Sequence, residues 1–94
     1  MSIRVSIIED DKPARKILAG WLSRAEGLEF VSQFESAEDC LAQLPQQKPD
    51  VVLMDIKLPG MNGVECVRRL KPQLPQTQFG MRRIARGCKK HPDF

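Results

Sequence analysis

Four apolar residues in a row, Val51-Val52-Leu53-Met54, follow Pro49-Asp50 and stop on a carboxylate, Asp55. An unbroken apolar run of this length, bounded by turn formers, reads as a short strand buried on both faces, the kind that parallel sheets use. Pro59-Gly60 and Asn62-Gly63 come soon after, so the chain turns sharply beyond Asp55. In open α/β sheets, ligands bind at the carboxyl ends of the strands. Taken alone, a strand-end aspartate reads first as a cap or a turn former. A second acidic cluster changes that reading. Ile3-Arg4-Val5-Ser6-Ile7-Ile8 is another strand-like run, and it ends in Glu9-Asp10-Asp11. Two such strands side by side converge their carboxylates. Like charges that close are costly unless compensated, and oxygen ligands of this kind suit Mg²⁺.

The remaining pattern alternates strands with helices. Pro13 is a good first-turn residue, because its missing N–H is not needed there. Ala14, Ile17, Leu18, Trp21, Leu22 and Ala25 recur at helical spacing and predict an amphipathic helix with one core face, with Trp21 in core or rim packing and a cap near Gly27. Leu28 to Phe34 predicts a second strand. Ser36, with Asp39 three residues on, offers an N-cap. Ala37, Cys40, Leu41 and Leu44 then predict a short helix that Pro45 closes. Gly63 to Leu70 predicts a third helix with Val64, Val67 and Leu70 inward, ended by the proline-containing stretch from Lys71 to Gln76. A fourth strand begins near Thr77. A βαβαβα order of this size implies a parallel sheet with right-handed crossovers.

These motifs together resemble the receiver domain of bacterial two-component response regulators. The carriers are Ile7-Ile8-Glu9-Asp10-Asp11 and the block from Val51 to Gly63, whose LMDIKLPGMNG segment is similar to the LuxR/NarL-type subgroup. The resemblance runs from about Ile3 to Phe79. It implies an α/β fold, a doubly wound parallel sheet of the flavodoxin-like (βα)5 kind with strand order 2-1-3-4-5. About three and a half βα units are present, so the fold is incomplete. It implies that a histidine kinase passes a phosphoryl group to Asp55. Glu9 and Asp10 are the acidic pair that holds Mg²⁺, chosen because Arg15 lies five residues after Asp10, the spacing usual for an arginine in the first helix. Asp11 is the alternative member. Lys57 contributes its backbone carbonyl to the metal. The protein is then a phosphoacceptor that assists its own phosphorylation, not a turnover enzyme. The Ser or Thr that ends strand 4 in the family has no counterpart, since Arg83, Ile84 and Ala85 stand there. The strand-5 lysine and any DNA-binding helix-turn-helix are also lacking, and Gly80 interrupts the usual strand-4 run.

Composition is ordinary for a globular chain: 41% hydrophobic and 29% charged over 94 residues. No apolar run reaches transmembrane length and no signal peptide is evident, so a cytoplasmic protein without membrane contact is expected. Cys40, Cys66 and Cys88 are odd in number and widely spaced, with no CxxC, and His91 alone cannot complete a zinc site. Free thiols are expected, with Cys40 and Cys66 as small core residues. The net charge of +3 is a property of the tail: residues 80 to 94 hold five basic residues against Asp93, which leaves ten basic and eleven acidic residues before them. That division, 1–79 receiver-like and 80–94 a basic tail, admits two readings. Met81, Ile84 and Cys88 at i, i+3 and i+7 fit a basic amphipathic helix for nucleic acid or an anionic surface. A shift of reading frame inside a longer gene fits the abrupt loss of resemblance.

Two further readings remain open. A remnant that no longer switches, acting only as a binding module or without function, shares every motif. An aspartate-nucleophile phosphatase needs a second Asp two residues after the first, where this chain has Lys57. Finally, a poor fourth strand leaves the Val51–Met54 strand at or near an exposed edge, which predicts self-association.

Overall fold

The computed structural model describes residues 2–55, 58 and 60–82, with Arg82 described by its backbone alone. Four strands and three helices alternate: β1 (Ile3–Ile8), α1 (Lys12–Arg24), β2 (Leu28–Phe34), α2 (Ala37–Gln47), β3 (Val51–Asp55), α3 (Gly63–Leu70) and β4 (Gln78–Arg82). All strand pairs are parallel, in the order β2-β1-β3-β4. This is the expected flavodoxin-like order as far as β4. The β1–β2 register shifts between Val5 and Ser6, so Val31 is bulged out of the ladder.

The strand pleat divides the core in two. Ile8, Val52, Met54 and Phe34 face α2 and α3, where they meet Ala37, Cys40, Leu44, Cys66, Leu70, Leu58 and Leu74. Val5 and Ile7 are buried on the other side, beneath α1. Leu44, Met54 and Leu70 are fully enclosed, and each contributes roughly 1.5–3 kcal/mol by leaving water.

Local chemistry explains the helix starts. The Asp11 carboxylate accepts the Ala14 N–H at 3.1 Å, the Ser36 hydroxyl accepts that of Asp39 at 3.1 Å, and the Asn62 side chain accepts that of Glu65 at 2.9 Å. Each such cap stabilises its helix by about 1 kcal/mol.

Several expectations need correction. Pro45 does not close α2. It falls in the last turn, where only one backbone bond is lost, and the helix continues to Gln47 before Lys48 ends it in a left-handed conformation (φ 49°). The Arg4 guanidinium supports this end by donating to the carbonyls of Gln47 (2.8 Å) and Lys48 (2.9 Å), where a cation also complements the helix dipole. The C-cap of α1 is Ala25, and Gly27 instead makes the left-handed turn (φ 83°) that leads into β2. The apolar stripe of α1 is not a core face: Ile17 is 54% and Trp21 62% exposed, and no residue of the helix is fully buried. The stripe is wider than its support. α1 packs on β1 and β2, which half-bury the Leu18–Leu22 flank and leave the Ile17–Trp21 flank outside. On α3, Val64 is 49% exposed, while Gly63, Cys66 and Leu70 share the inward arc. Val64 lies more than a quarter-turn from the centre of that arc.

Gly80 does not interrupt β4. The strand runs through it and pairs with β3 from Val51↔Gln78 to Asp55↔Arg82. A Cβ at Gly80 would meet Leu53 at 3.3 Å, so a small residue suits this close approach. The Val51–Met54 strand is therefore interior, and β4 is the edge among the described residues. Met81 lies in β4, not in a helix. The other tail positions named above, Arg83, Ile84, Ala85, Cys88, His91 and Asp93, lie outside the described residues, as does Lys57. No described helix is long and apolar enough to cross a membrane.

Candidate functional site

β1 and β3 lie side by side with Ile8 opposite Met54. The residues that follow, Glu9 and Asp55, are therefore neighbours at the carboxyl end of the sheet, and both are fully buried. Asp10 stands next to them, half-buried. One carboxylate oxygen from each of Glu9, Asp10 and Asp55 lies within 4.8 Å of the others. Parallel pairing produces this cluster directly, because two strands pointing the same way end at the same edge.

Glu9 is held on several sides. Its N–H donates to the Phe34 carbonyl at 2.9 Å, and its own carbonyl accepts Arg15 Nη1 at 2.7 Å. Its Oε2 accepts the Asp11 N–H at 2.9 Å. Asp11 thus supplies a backbone donor to the cluster, while its carboxylate turns away to cap α1. Of the three consecutive acids, the structure brings Glu9 and Asp10 to Asp55 and leaves Asp11 outside the group. Arg15, singled out for its spacing, anchors the main chain of Glu9.

Beyond Asp55 the chain enters the loop that leads to α3. Gly60 adopts φ 75°, a conformation L side chains rarely take. Glu38, near the start of α2, reaches this loop: its Oε2 accepts the Met61 N–H at 3.4 Å and lies 3.1 Å from where a Cβ on Gly60 would be. Sequence reasoning missed Glu38. It lies 23 residues from Met61, no motif marks it, and only the packing of α2 beside α3 brings it there. A separate polar groove of about 420 Å³, walled by Arg15, Gln33, Asp39 and Gln43 among others, lies at the β2 edge. Neither Glu9 nor Asp55 lines it.

Three carboxylates converging on one point repel one another. The donor set is oxygen only, anionic and compact, which fits a hard divalent cation such as Mg²⁺ and not a thiophilic metal.

Residues 5–82 match the response regulator receiver domain family. The response regulator GacA of Pseudomonas aeruginosa is 41% identical over 73 residues, which make up 78% of this chain and 34% of that protein. A protein-glutamate methylesterase/protein-glutamine glutaminase of Paramagnetospirillum magneticum is 40% identical over 73 residues, 78% of this chain and 21% of that protein. The chain thus spans about a third or less of these relatives' length. Among solved structures, the signal receiver domain of the putative response regulator NarL from Mycobacterium tuberculosis superposes with a TM-score of 0.80 at 22% identity. That alignment covers 87% of this chain and 66% of that one.

Proposed function

Because the chain belongs to the response regulator receiver domain family, we propose that Asp55 accepts a phosphoryl group from a histidine kinase, and that Glu9, Asp10 and Asp55 together hold the Mg²⁺ this transfer uses. The observation that carries the proposal is the convergence of those three carboxylates, with oxygens within 4.8 Å, at the carboxyl ends of β1 and β3. The resemblance adds the main-chain carbonyl of Lys57 as a further oxygen ligand. The LMDIKLPGMNG block supports a place in the LuxR/NarL-type subgroup.

Phosphoryl transfer asks for in-line placement and charge neutralisation more than for difficult covalent chemistry. When bound, Mg²⁺ supplies that neutralisation to the phosphoryl oxygens and the carboxylates alike. The chain's own residues do the rest. β3 fixes Asp55 at the mouth of the sheet. An Asp55 carboxylate oxygen attacks phosphorus, the bond from phosphorus to the donor imidazole breaks, and its electron pair stays on the ring nitrogen. Glu9 is kept in position by its bonds to Phe34, Asp11 and Arg15. The product carries roughly one to two additional negative charges, placed beside the loop that Glu38 contacts.

The test is incubation with Mg²⁺ and a small-molecule phosphodonor, read by intact mass, with Asp55→Asn in parallel. A phosphate-sized gain that needs Mg²⁺ and disappears in Asp55→Asn is expected. No gain in the parent chain, or an equal gain in Asp55→Asn, would overturn the proposal.

A further inference from the structure

β2 is an outer strand of the sheet, with β1 as its one strand neighbour among the described residues. The Phe34 carbonyl points inward, where it accepts the Glu9 N–H at 2.9 Å. Along a strand, the main-chain groups of successive residues point to alternate sides. Gln33, just before Phe34, therefore turns its N–H and C=O outward. They open into the polar groove of about 420 Å³ that Gln33 and Glu35 line. A strand edge set in a groove is a template for one more strand.

The walls of this groove are already in place. Asp39, Gln43 and Gln47 stand at i, i+4 and i+8 on α2 and form one row along the groove. The row is about 12 Å long at 1.5 Å per residue. Its register against β2 is fixed at one end, where the Ser32 hydroxyl donates to Gln47 Oε1 at 2.6 Å and also meets the Ser6 hydroxyl at 2.8 Å. α2 starts just after β2 and runs back along it, so Asp39 lies toward the Glu35 end. Arg15 of α1 forms part of the lining as well, held by its bond to the Glu9 carbonyl at 2.7 Å. The groove thus has room for three or four extended residues at about 3.3 Å each, with carboxylates toward one end and carboxamides toward the other.

We propose that this groove docks an extended, basic peptide segment of a partner protein, which adds to β2 as a further strand. Gln33 supplies the main-chain donor and acceptor for the pairing. Gln43 and Gln47 offer carboxamides, each both donor and acceptor, to the amides of the segment. Charge selects a basic segment. The two acids, Glu35 and Asp39, are exposed, whereas Arg15 is half-buried and turned in part to Glu9. An acidic segment would place like charges together at the Asp39 end. This inference does not depend on the phosphoacceptor role.

The test follows the amide resonances of the isotopically labelled full chain during titration with a short, end-capped peptide of alternating lysine and valine. Saturating shifts at Arg15, Gln33, Glu35 and Gln43 are expected, together with slower hydrogen exchange at the Gln33 N–H. The same peptide with N-methylated amides keeps its charge but cannot pair as a strand, so it should bind about tenfold more weakly or worse. Gln33→Pro removes the outward N–H at an edge position, where proline is tolerated, and should weaken the unmethylated peptide to the same degree. Absence of shifts, equal binding by the N-methylated peptide, tighter binding by a glutamate–valine peptide, or shifts centred on β4 would overturn the proposal. So would shifts at Gln33 and Glu35 that grow with protein concentration alone, because a second copy would then be the occupant. The comparison of the two peptides on the parent chain stands even if Gln33→Pro folds poorly.

Discussion

Neutralising one member of the carboxylate cluster should stabilise the protein in the absence of metal and remove its response to Mg²⁺. Asp10 is the best target, because it is half-buried while Glu9 and Asp55 are enclosed. Two unit charges 4.8 Å apart repel by about 0.9 kcal/mol at the dielectric of water and about 3.5 kcal/mol at an effective value of 20. Asp10 has two such neighbours, so Asp10→Asn relieves at least about 2 kcal/mol of repulsion. Allowing for weaker hydrogen bonding by the amide, we expect a net gain of about 1 kcal/mol, or about 4–8 °C in a domain of this size. Metal should stabilise the parent by relieving the same repulsion. At Mg²⁺ ten times its dissociation constant, the parent gains about 1.4 kcal/mol by mass action, and Asp10→Asn gains almost nothing. Urea melts of both proteins in chelator and in Mg²⁺ give all four values. An Asp10→Asn protein that is less stable than the parent in chelator, yet still stabilised by Mg²⁺, would refute the reasoning, because repulsion and metal binding would then not share these oxygens.

Other perturbations test the fold around the site. Leu44 is fully enclosed between α2 and the sheet, so Leu44→Ala should lower the unfolding free energy by about 2–5 kcal/mol; a loss under 1 kcal/mol would mean that this core is not packed as described. Glu65 accepts from Arg69 and Arg68 at 3.1 and 2.7 Å, and the Arg69 hydrogen bond holds its carboxyl below its ordinary value. A depressed folded-state value means the contribution is present above the ordinary glutamate range and fades as pH falls through the lowered one. Glu65→Gln should therefore flatten the acid end of the stability profile, and high salt should mask the difference. β4 has one strand neighbour among the described residues, with Met81 exposed on it, so the chain should associate with itself through that edge. Met81→Lys should weaken the association, and a monodisperse monomer in sedimentation would contradict it.

The strands and the acidic cluster were legible in the sequence because a parallel sheet writes them plainly. Apolar runs bounded by turn residues fix β1 and β3, and parallel pairing forces their terminal acids together. The choice of Glu9 and Asp10 over Asp11 rested on the arginine position usual in the resembled family, which Arg15 meets, and the Asp11 carboxylate caps α1. What the sequence hid depends on neighbours. Periodicity gives the apolar width of α1 but not how much of it a sheet covers, so Ile17 was read as core and Trp21 as core or rim. It gives the proline but not its place within a turn, so α2 was ended at Pro45 instead of Gln47. Gly80 read as a break because its role is a close approach to Leu53 on another strand. Contacts across long separations, Glu38 to the loop at Met61 and Cys66 to the Ala37 carbonyl, leave no local signature.

The most direct test is to find which residue carries the phosphoryl group. After reaction with a phosphodonor in Mg²⁺, hydride reduction of the acyl phosphate followed by peptide mapping marks the modified aspartate. The account predicts the mark on Asp55 and on no other acid. A mark on Glu9, Asp10 or Asp11, or none under conditions where Mg²⁺ stabilises the protein, would contradict it.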